Sequence, residues 1–393
     1  MNVPRTTNLK QTCARGQFHQ HDGNCPGDRY QIHCDAGRSK VPSRPNTAAS
    51  GQAGECKHPH ASSLALLYVA KNSTPIKPSI SILQYDPALE SVIGPSPTHA
   101  LVLSSVGTSA KPFFHRGCIY VASRNELWTT SAPLAATDPS RPPTILMSKV
   151  TVTRNPADDT LTAEWAKLRP PPTMPMPASG CAVGDDRMVW CSQGTPAPGT
   201  GGVFFLPAGR PPQAVASTYH GRDFNSPHSA AVSSRDGGIW FTDPCCGHEQ
   251  DFRGPPQLPP QIYRCDAKTG EVRAMADGFV RPTGIAIDED CSTIYIADAG
   301  GVRVDGSLDL IQPRSIYAFD IVKRNGAVFL ANRRMFALAR RGAPMHLMCE
   351  DGNVWAACGD GVEIWNSGGS LLGVIQVPGE LLIVIPSSAL LPI

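Results

Sequence analysis

The chain has 393 residues, 41% of them hydrophobic, which is enough to bury a core and excludes disorder throughout. Its formal net charge is +2, with both signs interspersed and no basic block, so nothing in the charge pattern calls for nucleic acid or an anionic membrane as partner. Thirty-eight prolines and thirty-six glycines beside 7% aromatics mark many turns and favour β over helical architecture.

The thirteen cysteines are odd in number and share no repeated spacing. Cys181, Cys191, Cys349 and Cys358 fall where strands are expected and read as small buried apolar side chains. The adjacent Cys245 and Cys246 read as free thiols in a loop, and a disulfide framework is not expected at this size. No segment is long and apolar enough to span a bilayer. The opening residues MNVPRTTNLKQTCARG lack the apolar run of a signal peptide, so a cytoplasmic location is expected.

Residues 1–73 are polar and show neither helical nor strand periodicity, and read as a disordered or poorly packed extension. Cys13, Cys25, Cys34 and Cys56 lie there among five histidines, but no C-x-x-C pair appears, so no structural zinc is expected. A short run, SSLALLYVA (62–70), has the texture of a signal-peptide core but lies too deep in the chain to act as one.

From residue 79 the texture changes to short β-rich runs separated by turns. An aromatic-bearing strand recurs in NELWTT (125–130), RMVWCSQ (187–193), GGIWFTDP (237–244), STIYIADAG (292–300) and GNVWAACGDG (352–361). Its anchors Trp128, Trp190, Trp240, Tyr295 and Trp355 return about every 50–60 residues, the period of a propeller blade. Outer hairpins follow, clearest in QIYRCDAKTGEVRAM (261–275) and GVEIWNSGGSLLGVI (361–375). Before each aromatic strand comes a run that opens on a small or polar residue and turns apolar: HRGCIYVA (115–122), ASGCAVG (178–184), SPHSAAVS (226–233), RPTGIAID (281–288) and APMHLMCE (343–350). These read as inner strands whose first residues ring one mouth of a central tunnel. The expectation is an all-β fold, a six-bladed β-propeller over 74–393, with the sixth blade assembled from SISILQYD (79–86) and C-terminal residues.

The stretch 221–300, with FNSPHSAAVSSRDGGIWFTDP, QIYRCDAKTGEV and ADGFVRPTGIAIDEDCSTIYIADAG, resembles the gluconolactonase, senescence-marker-protein and luciferin-regenerating-enzyme family, especially its fungal lactonohydrolase-like branch. PFFHRGCIYVASRNELWTTS (112–131) and NVWAACGDGVEIWNSGGSLLGVI (353–375) extend the likeness over most of residues 80–375. The end, ELLIVIPSSALLPI (380–393), departs from it and lacks the usual closing strand. The resemblance implies a lactone-hydrolysing enzyme on a small-molecule substrate, with a calcium ion at the tunnel mouth held by a glutamate, two asparagines and an aspartate. The glutamate position carries Arg116, the asparagine positions carry His228 and Thr283, and the aspartate position carries Met345.

Calcium takes six to eight oxygen ligands, several of them anionic. A guanidinium, an imidazole, a hydroxyl and a thioether do not supply them, so no cofactor is expected. Zinc on His115, His228 and His346 would need all three imidazoles to converge and is not expected either. Arg116 would then stabilise an oxyanion in place of a metal, with His228 or His346 as general base. His115, Ser179, Asn225, Thr283 and Met345 would contact substrate. Asp243 and Asp298 read as loop-fixing acceptors of backbone amides. Two other readings stand beside this one: a catalytically silent propeller that binds a ligand or partner, and a metal-independent propeller enzyme of the kind strictosidine synthase represents.

Overall fold

A computed structural model of the chain describes residues 63–68, 80–104, 112–136, 138, 142–155, 157, 161–377 and 382–386. Short β-rich runs joined by tight turns cannot bury their own faces, so they stack as twisted antiparallel sheets around an axis. Five such blades are present. Blade one comprises Arg116–Val121, Glu126–Thr130, Met147–Arg154 and Leu161–Leu168. Blade two comprises Pro177–Val183, Arg187–Ser192, Gly202–Pro207 and Gln213–Ala216. Blade three is built from Ala230–Val232, Ile239–Asp243, Gln261–Cys265 and Val272–Ala276, and blade four from Pro282–Ile287, Thr293–Asp298, Ser315–Arg324 and Ala327–Leu338. Blade five holds His346–Glu350, Asn353–Cys358, Gly361–Trp365 and Leu371–Gln376. The fold is an all-β propeller.

The recurrent aromatics all lie on the second strand of a blade, and all but Trp355, which packs under the helix Leu89–Ile93, plug the seam to a neighbour. Trp128 and Trp190 meet Ile119, Val121, Met147 and Phe204 between blades one and two. Trp240 packs with Phe279, Ile285 and Ile296 between three and four, and Tyr295 with Ala337, Val354 and Trp365 between four and five. Each side chain removed from water in this way contributes about 1.5–3 kcal/mol, and the ring geometry fixes the blade spacing. Among the described residues every cysteine is a free thiol, Cys245 and Cys246 included. The extension's Cys13, Cys25, Cys34 and Cys56 lie outside the described residues.

The expected six blades are corrected to five. Ser81–Gln84 does not begin a sixth blade: it adds antiparallel to Leu371–Gln376 as a fifth strand of blade five. The reason is apolar. Ile80 and Ile82 cover a cluster of Leu372, Ile375 and Val377 that is closed from the other side by Leu89 and Ile93 of the short helix Leu89–Ile93. A three-stranded sheet lies between blades five and one instead. Its central strand Ser63–Tyr68 runs antiparallel to Leu382–Pro386 and parallel to Thr98–Ser104. Leu382–Pro386 touches Gly361–Trp365 of blade five, and Thr98–Ser104 touches Leu161–Leu168 of blade one. Six residues of the segment read as an extension are therefore a strand. The terminal stretch that looked unable to close the ring supplies that strand's antiparallel partner.

Candidate active site

The five inner strands surround a tunnel whose mouth opens into a cavity of about 880 Å³. A second cavity of about 420 Å³ lies farther along the axis, and His346 lines both. His115, Arg116, His228, Met345 and His346 all border the mouth cavity, so the sequence reading brought five of its eight residues to one place.

Arg116 opens the inner strand of blade one at a bulge: pairing with Glu126–Thr130 slips between Arg116 and Ile119. Gly117 follows with φ +64, and a Cβ there would lie 2.6 Å from the carbonyl oxygen of Ala178. Such a bulge re-aims the side chain beside it. Inner strands of blades two and four bulge at the same level, between Pro177 and Gly180 and between Pro282 and Gly284.

Nη1 of Arg116 lies 3.0 Å from Nε2 of His228, and Nδ1 of His228 lies 2.9 Å from the Thr283 carbonyl oxygen. A guanidinium only donates, so Nε2 accepts and the proton sits on Nδ1, which donates to Thr283. His228 is therefore a neutral imidazole with both nitrogens engaged. Burial, and then the neighbouring guanidinium, hold it well below the usual histidine range, although the carbonyl of Thr283 works the other way. Burial also lowers Arg116, helped by Arg281 and opposed by Cys246, yet a guanidinium stays charged in such a site. Among the described residues no carboxylate pairs with Arg116. The Cys246 thiol beside it is pushed up to about 11 by burial and is neutral.

His346 differs from His228. Its Nε2 has no hydrogen-bond partner, and burial followed by Arg116 lowers it to about 4. Asp243 and Asp298 fix loops through backbone amides. Asp243 accepts from Asn225 at 2.9 Å and Ser226 at 2.8 Å, which sets the turn leading to His228. Asp298 accepts from Val280 at 3.0 Å and Arg281 at 2.8 Å, which sets the turn leading to Thr283.

Three expected substrate contacts lie elsewhere. Thr283 is buried, with Oγ1 turned to the Pro344 carbonyl at 3.4 Å, so its part is to orient His228. Ser179 is wholly buried in the inner strand of blade two, its Oγ without a hydrogen-bond partner. Asn225 borders a separate 110 Å³ pocket and donates to the Leu258 carbonyl at 2.9 Å. His228, read as a candidate base, has its lone pair occupied by Arg116. Sequence reasoning missed Cys246 and Glu249, which come from the short helix Cys246–Glu249, and the arginines Arg281, Arg303, Arg314, Arg340 and Arg341. An arginine directly before the inner strands of blades four and five, in RPTG and ARRGAPM, was the available signal.

The four positions aligned with the family's calcium ligands do not fit a hard cation. Arg116 brings positive charge, the His228 lone pair is taken, the Thr283 hydroxyl faces Pro344, and Met345 has only sulfur to offer. Among the described residues, His115, His228 and His346 do not gather into a metal-holding group.

Residues 173–386, more than half of the chain, match the family described as the SMP-30/Gluconolactonase/LRE-like region. This chain belongs to that family. It is 29% identical to the lactonohydrolase oryL of Aspergillus oryzae over 177 residues, which are 42% of this chain and 40% of that protein. It thus matches well under half the length of this curated relative. In three dimensions it resembles a gluconolactonase of Xanthomonas campestris with a TM-score of 0.51 and 22% identity, over 79% of this chain and 89% of the other. At that identity the likeness establishes the propeller fold.

Proposed function

We propose that this family member hydrolyses the ester bond of a small lactone-type molecule at the tunnel mouth, with a guanidinium doing what a metal would otherwise do. The reading is supported by Arg116, a charged group held at the mouth by a neutral imidazole and, among the described residues, matched by no carboxylate. Such a charge favours an oxyanion more than a neutral carbonyl, and that difference is what accelerates the reaction. Water attacks the ring carbonyl and passes a proton to the imidazole of His346, whose Nε2 is unpartnered. The tetrahedral oxyanion lies against Arg116. Its collapse breaks the ring C–O bond, and the departing alkoxide takes the proton from His346, giving a hydroxy acid. His228 holds Arg116 in place and has no lone pair left for base work.

Turnover on a panel of small lactones, with and without a chelator, tests the reading. We expect hydrolysis that a chelator leaves unchanged and that Arg116→Ala removes. A protein that opens no lactone, or one silenced by chelator, would overturn it. The first of those results favours a ligand-binding propeller.

A further inference from the structure

Six arginines line the mouth cavity, Arg116, Arg281, Arg303, Arg314, Arg340 and Arg341, against two carboxylates, Glu249 and Asp305. Three of these arginines are neutralised. Arg281 pairs with Glu249 at 2.8 Å, Arg303 with Asp309 at 3.1 Å and Arg340 with Asp360 at 2.5 Å. Asp305 is turned to the amide and hydroxyl of Ser307. That leaves Arg116, Arg314 and Arg341.

Arg314 is held firmly without being neutralised. Its Nη1 donates to the Gly342 carbonyl at 3.2 Å, and its stem lies over Gly301, where a Cβ would come within 2.4 Å of Cγ. Among the described residues its Nε has no partner and no carboxylate pairs with it. Arg341 adjoins Gly342, and its guanidinium makes no hydrogen bond or ion pair among the described residues. Two guanidinium groups without counter-charge among the described residues thus line one cavity, one beside Gly342 in the chain and one bonded to its carbonyl, a chemistry suited to an anionic oxygen pair. The rest of the wall includes Val302, Val304, Leu308 and Ala343, which suit an apolar body.

We infer that the ligand of this cavity is an acid: a small, partly apolar molecule whose carboxylate is bound by Arg314 and Arg341. Where that ligand is the substrate, the carboxylate is separate from the ester opened at Arg116, and this part rests on the hydrolase reading above. Low-dielectric walls focus the field of the paired and unpaired arginines, so the acid also enters faster than a neutral analogue.

The experiment has two arms. Calorimetry compares glutarate with dimethyl glutarate and with inorganic phosphate on the full-length protein. Glutarate should bind and its diester should not, and Arg314→Ala and Arg341→Ala should each weaken glutarate on the order of tenfold to a hundredfold, the value of a charge-assisted hydrogen bond. Equal binding of acid and diester, unchanged affinity in both variants, or tighter binding of phosphate would overturn the assignment. The second arm compares hydrolysis of a butyrolactone carboxylate with that of its methyl ester. A kcat/KM preference for the acid that collapses in Arg314→Ala supports the inference. Equal hydrolysis of acid and methyl ester sinks it while leaving the hydrolase reading intact. Glutarate binding with no lactone opened does the reverse.

Discussion

Nη1 of Arg116 donates to Nε2 of His228 across 3.0 Å, and the imidazole in turn donates from Nδ1 to the carbonyl of Thr283. Blades one, three and four are tied by this chain of two hydrogen bonds, which points a guanidinium into the mouth cavity without cancelling its charge.

Arg116→Ala should lower kcat/KM on a verified lactone by on the order of a hundredfold or more. Melting temperature should change little, because removal of a buried charge without a carboxylate offsets the partner lost by Nε2 of His228. Steady-state kinetics and a thermal scan on the same preparation check both halves. Full activity in the variant ends the guanidinium mechanism.

His228→Ala should act on both fold and rate. It leaves the Thr283 carbonyl and the Arg116 guanidinium without a partner, at about 1–3 kcal/mol for each buried group. Urea denaturation should show the loss at pH 7, and His228→Gln, which can still bridge, should recover part of it. If His228 were itself the base, glutamine would restore stability with no recovery of turnover.

Gly117→Ala should damage the site from the backbone. The residue has φ +64 and its Cβ would press on Ala178, so the bulge has to shift and Arg116 turns with it. We expect a loss of about 1–3 kcal/mol in stability and a disproportionate loss of kcat. Wild-type kinetics in this variant would show that the bulge does not aim the arginine.

The pH profile should carry an acid limb far below the ordinary histidine value of about 6.5. In the proposed mechanism neutral His346 is the base, and burial followed by Arg116 lowers it to about 4. Log kcat/KM should therefore stay flat from neutrality downward and fall only as pH drops through about 4, as far as the protein remains folded. A limb centred near 6.5 would mean another group accepts the proton.

Millimolar calcium should leave the unfolding transition where it is, and a chelator should do the same. A ligand that binds only the folded state raises the transition in proportion to its occupancy, and the groups at the four aligned positions offer it no anionic oxygen. Differential scanning fluorimetry settles the point, with an upward shift of several degrees counting against this reading.

The blades were legible because one signal repeats: an aromatic on the second strand, a turn before it and an apolar run ahead of that, as at Trp240 and Tyr295. That five of the eight candidate residues border the mouth cavity has a related reason, since each stands at the start of an inner strand. Ser179 and Thr283 share that address but point away, because bulges at Pro177 and Pro282 reverse which face a side chain takes. Periodicity cannot register such a slip. The other mouth arginines, from Arg281 to Arg341, escaped because they are scattered along the sequence and gather only in the fold. Ser63–Tyr68 escaped because its pairing partners are remote, and one lies parallel to it.

The seam between blades five and one has a consequence in time. Ser81 pairs with Gln376 across 295 positions, and Ser63–Tyr68 pairs with Leu382–Pro386 across still more chain. Contacts of such separation form late, after the entropy of a very long loop has been given up. During synthesis Ser63–Tyr68 must wait with one side unpaired while all five blades emerge, an edge open to other chains. A chain without Leu382–Pro386 would carry five blades and an open seam, so this strand acts as the latch that withdraws that edge from solution.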